Sequence, residues 1–348
     1  MKKLTAALSI TSEEYKTMIL DYNQICSATC GAAYIEKKDR IIFHRFTKEQ
    51  ESIYLNMRPQ LTQIYSTAGI LLSFNTDSDF LELNISVDEA TLRKFFSFDI
   101  FENGKLIGYL DNLGAEKKND YLEGSYNLGN FKKKFELGTG VKNIEIYFPW
   151  SVKAIINELI IADGAFFEPA KPKKALLVFG DSITIGENVI RPSNRYSSKL
   201  AKSIGAQEFN KAIGGEHYCP FLSKTKENVK PDAIITAYGT NDWAHGTRND
   251  FLDKCNCFFK NLSDNYPTAQ IYALTPIWRK DYTEQKAFGP FNSVNNEVVA
   301  ITKSFKNITV IDCFNMIPHD ERYYSDRRLH PNDEGNKYMS DGIFKFII

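Results

Sequence analysis

A chain of 348 residues is longer than one hydrophobic core usually organises, so two domains are expected. Apolar residues at 43%, charged residues at 25% and aromatics at 13% exclude a disordered or fibrous protein. The 43 basic residues balance the 43 acidic ones, which leaves no positive field for nucleic acid or an anionic membrane and favours small, neutral partners.

The chain opens Met1-Lys2-Lys3 and runs through the apolar stretch Leu4–Ile10, which imitates a secretory signal. Thr5 and Ser9 interrupt it, Thr11-Ser12-Glu13-Glu14 ends it, and no small-x-small cleavage site follows. It reads as a first strand or helix of an unexported, cytoplasmic protein. Short strands then follow at 41–46, 69–75, 80–87, 95–102, 105–110, 143–148 and 154–161, many alternating apolar with polar residues. Between two of them Asn103-Gly104 supplies the positive φ angles of a two-residue hairpin turn. This pattern predicts an all-β sandwich or jelly roll over residues 1–168. The segment around Pro169-Ala170-Lys171-Pro172-Lys173-Lys174 breaks the periodicity and predicts a linker at 169–174.

From 175 to 348 the grammar changes. Apolar runs at 175–179, 232–238, 270–275 and 308–311 alternate with helical stretches at 194–203, 250–263, 293–305 and 333–347, which predicts a parallel α/β sheet. Reactive groups of such sheets gather where strands end and helices begin. Strand 175–179 ends in Gly180-Asp181-Ser182, a serine on a tight turn. A further strand ends Asn210-Lys211-Ala212-Ile213-Gly214-Gly215, a glycine pair able to offer bare backbone N–H groups. Strand 232–238 ends in Gly239-Thr240-Asn241-Asp242, with an amide donor, and His330-Pro331-Asn332 places an imidazole just before the last helix. A serine, a histidine and neutral donors are what acyl transfer requires.

Each residue also has a plainer use. Ser182 could cap a helix, Asn241 could cap a turn, the glycines could only permit positive φ, and His330 could lie on the surface. Their combination favours chemistry. His217 and His245 read as pocket wall or surface, and Trp243, Trp278 and Tyr218 as core or, alternatively, as a sugar-stacking wall. The six cysteines (Cys26, Cys30, Cys219, Cys255, Cys257 and Cys313) show no zinc spacing and read as reduced structural thiols.

These four blocks, in this order, resemble the SGNH/GDSL hydrolase family over about half the chain. The resemblance implies a flavodoxin-like three-layer α/β/α domain in which Ser182 is nucleophile and His330 base. It implies an oxyanion hole made of the Ser182 and Gly215 N–H groups and the Asn241 amide, with no metal or cofactor. Thr275-Pro276-Ile277-Trp278-Arg279 resembles the strand end that members place beside the site. A β domain in front is similar to two-domain carbohydrate esterases, including acetylxylan-type deacetylases, and implies a small-molecule or oligosaccharide ester as substrate. A thioesterase or lysophospholipase on the same site, or a silent glycan-binding relative, remain alternatives. One position departs from the family pattern of Asp-x-x-His: three residues before His330 stands Arg327, and the nearest acid, Asp326, lies four before. Asp326 is expected to complete the triad only if its loop bulges by one residue.

Overall fold

The computed structural model describes residues 16–114 and 121–347. The run Leu4–Ile10, expected to form a first strand or helix, lies outside the described residues.

The first half folds as two antiparallel sheets. One holds β1 (Thr17–Ile19), β3 (Tyr34–Lys37), β4 (Ile41–His44), β6 (Phe80–Glu89), β9 (Gly129–Glu136) and β11 (Val152–Ala162), in the order β3-β4-β11-β6-β9 with β1 on β11. The other holds β2 (Thr29–Cys30), β5 (Leu71–Thr76), β7 (Ser97–Glu102), β8 (Lys105–Asp111), β10 (Lys142–Tyr147) and β12 (Phe167–Pro169), in the order β12-β5-β10-β7-β8 with β2 on β5. Alternation drives the pairing. Leu81, Leu83, Ile85 and Val87 point inward from β6 and meet Leu72, Phe74, Phe98, Ile100, Ile144 and Ile146 of the facing sheet in one core. Asn103 and Gly104 take φ of 49° and 77° and close the β7–β8 hairpin. The edge strand β9 escaped the sequence pattern because Lys132, Lys133 and Lys134 interrupt it; edge strands commonly carry lysines that discourage pairing with other chains.

The second half has five parallel strands: β13 (Lys174–Gly180), β14 (Ala206–Asn210), β15 (Ala233–Ala237), β16 (Gln270–Leu274) and β17 (Ile308–Ile311). Their order, β14-β13-β15-β16-β17, is the flavodoxin-like 2-1-3-4-5, which puts a topological switch point at β13. On one face Leu176 and Val178 pack against α4 (Tyr196–Ser203) and α9 (Asp333–Phe344). On the other Leu177 and Phe179 pack against α5 (Pro220–Lys224), α7 (Arg248–Asn265) and α8 (Asn292–Thr302). The molecule is therefore a jelly-roll-like sandwich followed by a three-layer α/β/α domain. Two short helices, α3 (Ser182–Ile185) and α6 (Thr240–His245), start directly at strand ends.

The halves are not separated by a free tether. The expected linker begins as β12, paired with β5, and the Ala170 N–H donates to the Ser73 carbonyl. Two helices in the first half also broke the all-β expectation: α1 (Tyr22–Ala28) and α2 (Lys48–Met57), each opened by a capping box, Asp21 with Gln24 and Thr47 with Gln50. Helix α2 touches the sandwich through Glu51, which accepts the Tyr34 hydroxyl at 2.7 Å, but its apolar side faces the other half. Phe46, Tyr54 and Ile64 enter the same apolar core as Leu177, Ile213 and Leu222 of the α/β domain. The six cysteines are free thiols. Among the described residues no helix is long and apolar enough to cross a membrane.

Candidate active site

Strand β13 ends at Gly180, where a Cβ would lie 2.2 Å from Thr184 Oγ1 and 2.9 Å from the Ala237 carbonyl oxygen, so only glycine lets the chain turn here. Asp181 caps α3, its Oδ1 accepting the Ile183 N–H at 3.0 Å. Burial pushes the Asp181 carboxyl up to about 7. Ser182 is the first helical residue, so its N–H has no partner within the helix. Its Oγ lies 2.9 Å from His330 Nε2.

The loop before α9 explains the irregular acid spacing. The Ser325 N–H and hydroxyl both donate to the His330 carbonyl, at 2.9 and 3.0 Å, closing a tight loop. Inside it Arg327 adopts a left-handed φ of 55°. That extra residue lets Asp326 Oδ1 accept the N–H groups of Arg328, Leu329 and His330 at 2.9, 2.8 and 3.1 Å. Asp326 Oδ2 then sits 2.7 Å from His330 Nδ1. With Nδ1–H donating to Asp326, Nε2 is left to accept the Ser182 hydroxyl. Burial alone would raise the Asp326 pKa. The His330 hydrogen bond and charge, with the Leu329 and Arg328 N–H groups, hold it instead well below the usual carboxylate range. Burial would lower the His330 pKa, but the Asp326 hydrogen bond and the charges of Glu187, Asp326 and Asp181 raise it above its ordinary value. Glu187 Oε2 lies 3.9 Å from Nε2, on the serine side of the ring.

The donors come from the two strands flanking β13. Gly215, past the end of β14, has a φ of 76°, and among the described residues no acceptor takes its N–H. Asn241 is buried at 8% exposure near the start of α6, and its Nδ2 donates to the Glu216 carbonyl at 3.0 Å. One amide hydrogen is thus spent on fixing the side chain and the other remains available. Beside them, the expected strand end after β16 brings Arg279 Nη1 to the Thr240 carbonyl and hydroxyl at 3.1 and 3.0 Å. The structure brings Ser182, His330 and Asp326 into one hydrogen-bonded chain, and it joins the Gly215 and Asn241 loops through Glu216.

Other sequence candidates lie elsewhere. Trp243 and Tyr218 are buried in the core, and Trp278 is buried and stacks on His319, so none forms an open sugar-stacking wall. His217 Nδ1 lies 3.4 Å from Asp242 Oδ1, while His245 is exposed at the end of α6. Glu187 was missed because a lone glutamate after Gly186 carries no pattern. Next to the Asp326 loop a cleft of about 1180 Å³ opens between the halves, lined by Tyr109, Tyr121, Arg191, Ser325 and Arg327 among others.

A serine–histidine–aspartate chain at the switch point of a parallel sheet, with unspent donors beside it, is an arrangement suited to acyl transfer through a serine. Residues 178–338 match the model of the GDSL-like Lipase/Acylhydrolase family. The chain is similar to an acetylxylan esterase / glucomannan deacetylase of Cellvibrio japonicus (strain Ueda107), with 26% identity over 161 residues, covering 35% of this chain and 45% of the relative. It thus spans less than half of that protein's length. The fold is similar to that of the salicylyl-acyltransferase SsfX3 from a tetracycline biosynthetic pathway (TM-score 0.76, 17% identity, 90% of this chain and 92% of that one). It is also similar to a family two carbohydrate esterase from Cellvibrio japonicus (TM-score 0.65, 16% identity, 96% and 97%).

Proposed function

We propose that this protein is a serine esterase that removes short acyl groups, chiefly acetyl, from a carbohydrate. The observation that carries this reading is the continuous chain from Asp326 through His330 to Ser182, with distances of 2.7 and 2.9 Å. Ser182 Oγ attacks the ester carbonyl as His330 Nε2 takes its proton. The carbonyl oxygen becomes an oxyanion that accepts from the Ser182 N–H, the Gly215 N–H and the free Asn241 amide hydrogen. His330 then protonates the departing alcohol. Water, deprotonated by the same imidazole, releases the acyl group from Ser182 as a carboxylic acid. Support for a saccharide comes from the cleft beside the Asp326 loop, whose tyrosines and charged groups suit hydroxyl-rich ligands, and from the activity named for the Cellvibrio relative.

The test is acetate release from acetylated xylo- and manno-oligosaccharides, together with a series of nitrophenyl esters from acetyl to dodecanoyl. Acetate release and rates that fall with chain length are expected. A rate rising steadily towards dodecanoyl, or no acetate from any acetylated saccharide, would overturn the substrate assignment.

Two variants probe the site. Asn241→Ala is expected to lower kcat by about 10²- to 10³-fold with a smaller change in KM, the usual cost of one oxyanion donor. A KM effect alone would make Asn241 a binding residue. Glu187→Gln removes a negative charge that raises the His330 pKa, so more acid is needed before the imidazole is protonated and lost as a base. The acid limb of the kcat/KM profile is therefore expected to move to lower pH. A limb that stays in place would leave Asp326 as the carboxylate that sets it.

A further inference from the structure

The oxyanion donors are held from the other half of the chain. Residues 45–63, between β4 and β5, leave the sandwich and reach the loop that follows β14. Arg45 is fully buried and donates from Nη1 to the carbonyls of Asn210 and Ala212, at 2.9 and 3.1 Å. Its remaining donors are anchored on its own half, on the Ser66 carbonyl at 2.7 Å and the Gln63 carbonyl at 2.9 Å. Lys211 of that loop returns the contact, donating to the Arg45 carbonyl and pairing with Glu227 at 2.7 Å. Further along, Gln63 Oε1 accepts the Gly214 N–H at 2.6 Å. Arg58 Nη2 pairs with the Glu216 carboxylate.

These contacts bracket the chemistry. Gln63 fixes the residue before Gly215 and Arg58 the residue after it, while the carbonyl of that same Glu216 orients the Asn241 amide. Gly215 itself is exposed and, at a φ of 76°, has nothing within 4 Å where a Cβ would stand, so no side-chain packing holds it in place. We propose that Gln63, backed by Arg45 and Arg58, is a positioning residue for the oxyanion hole, and that the N-terminal half is thereby part of the catalytic apparatus. This rests on the assignment of Gly215 and Asn241 as oxyanion donors. Gln63 touches no reacting atom. It acts by pinning the Gly214–Glu216 backbone so that the Gly215 N–H and the Asn241 amide converge on one point, and a displacement of about 1 Å at such a site can cost on the order of 10²-fold.

The experiment uses the full chain with Gln63→Met, which keeps length but removes the acceptor, and Gln63→Glu, which keeps it. Gln63→Met is expected to lower kcat about 10- to 100-fold, with KM changed less than about threefold. Affinity for an alkyl boronate, which turns tetrahedral on Ser182 and needs the hole, should fall in step with kcat. Gln63→Glu should stay within about threefold of the parent. The acid limb of the pH profile should not move, because the His330 neighbours are untouched. A kcat for Gln63→Met within twofold of the parent, or unaltered boronate affinity, overturns the proposal. So does an equal loss in Gln63→Glu. If Gln63→Met does not fold, Arg58→Met, at a side chain 38% exposed, carries the same test. Asn241→Ala separates the two levels: if it costs activity and Gln63→Met does not, only the positioning role fails. If Asn241→Ala costs nothing, the oxyanion assignment fails and the positioning role with it.

Discussion

Ser182→Ala is expected to lower kcat on an acetyl ester by about 10⁶-fold and to abolish labelling by a fluorophosphonate. The size follows from what is lost and what is kept. The hydroxyl that forms the acyl-enzyme disappears, and His330 Nε2 loses the group it would deprotonate. The N–H of residue 182 remains, as do Gly215 and Asn241, so bound ester can still be polarised. A residual rate about 10³- to 10⁴-fold over water is therefore expected, reflecting direct water attack in a preformed hole. Folding should be little affected, since Ser182 Oγ makes its single side-chain hydrogen bond to His330. Turnover within tenfold of the parent, with an unchanged melting temperature, would mean that another residue is the nucleophile.

The features legible in the sequence are those that short-range physics determines. Strands β6, β7, β8, β10 and β11 announced themselves by alternation, and the β7–β8 hairpin by Asn103-Gly104, because each depends on neighbours only a few residues away. Ser182, Gly215, Asn241 and His330 were legible for a related reason: in a parallel sheet the chemistry sits at strand ends, and strand ends can be found from apolar runs. Helix α2 was readable in principle, since Thr47-Lys48-Glu49-Gln50 is a capping box, but its apolar residues are too few to show a helical period. That Tyr54 and Ile64 pack against the α/β domain was not readable at all, because their partners there lie more than a hundred residues away. The same holds for Arg45 and Gln63, whose contacts with Asn210 and Gly214 span 165 and 151 residues. Residues that look like sandwich surface thus contact the site loops of the other half, and deletion of residues 1–168 would remove them.

Asp326 is the intermediate case. Its four-residue distance from His330 departs from the family spacing, and no sequence rule says that Arg327 will take a left-handed φ of 55°. Once it does, Oδ1 caps three consecutive N–H groups and Oδ2 is aimed at the imidazole.

Asp326→Asn is accordingly expected to lower kcat by about 10³- to 10⁴-fold while leaving the loop folded. Asparagine Oδ1 can still accept from Arg328, Leu329 and His330, so the turn keeps its cap. Nδ2, however, now faces His330 Nδ1 and can only donate. The imidazole must then carry its proton on Nε2, the atom that should accept from Ser182, and the base is in the wrong tautomer. The loss of the carboxylate also removes an interaction that raises the His330 pKa, so whatever activity remains should show its acid limb at lower pH than the parent. Asp326→Ala is the harsher change, because it leaves three N–H groups uncapped and should cost stability as well as rate. The decisive measurement is kcat for Asp326→Asn with the melting temperature taken alongside. A loss below about tenfold in a folded variant would show that Ser182 and His330 work as a dyad oriented by the loop backbone, whereas a loss of three orders or more with the melting temperature intact would assign Asp326 the triad role.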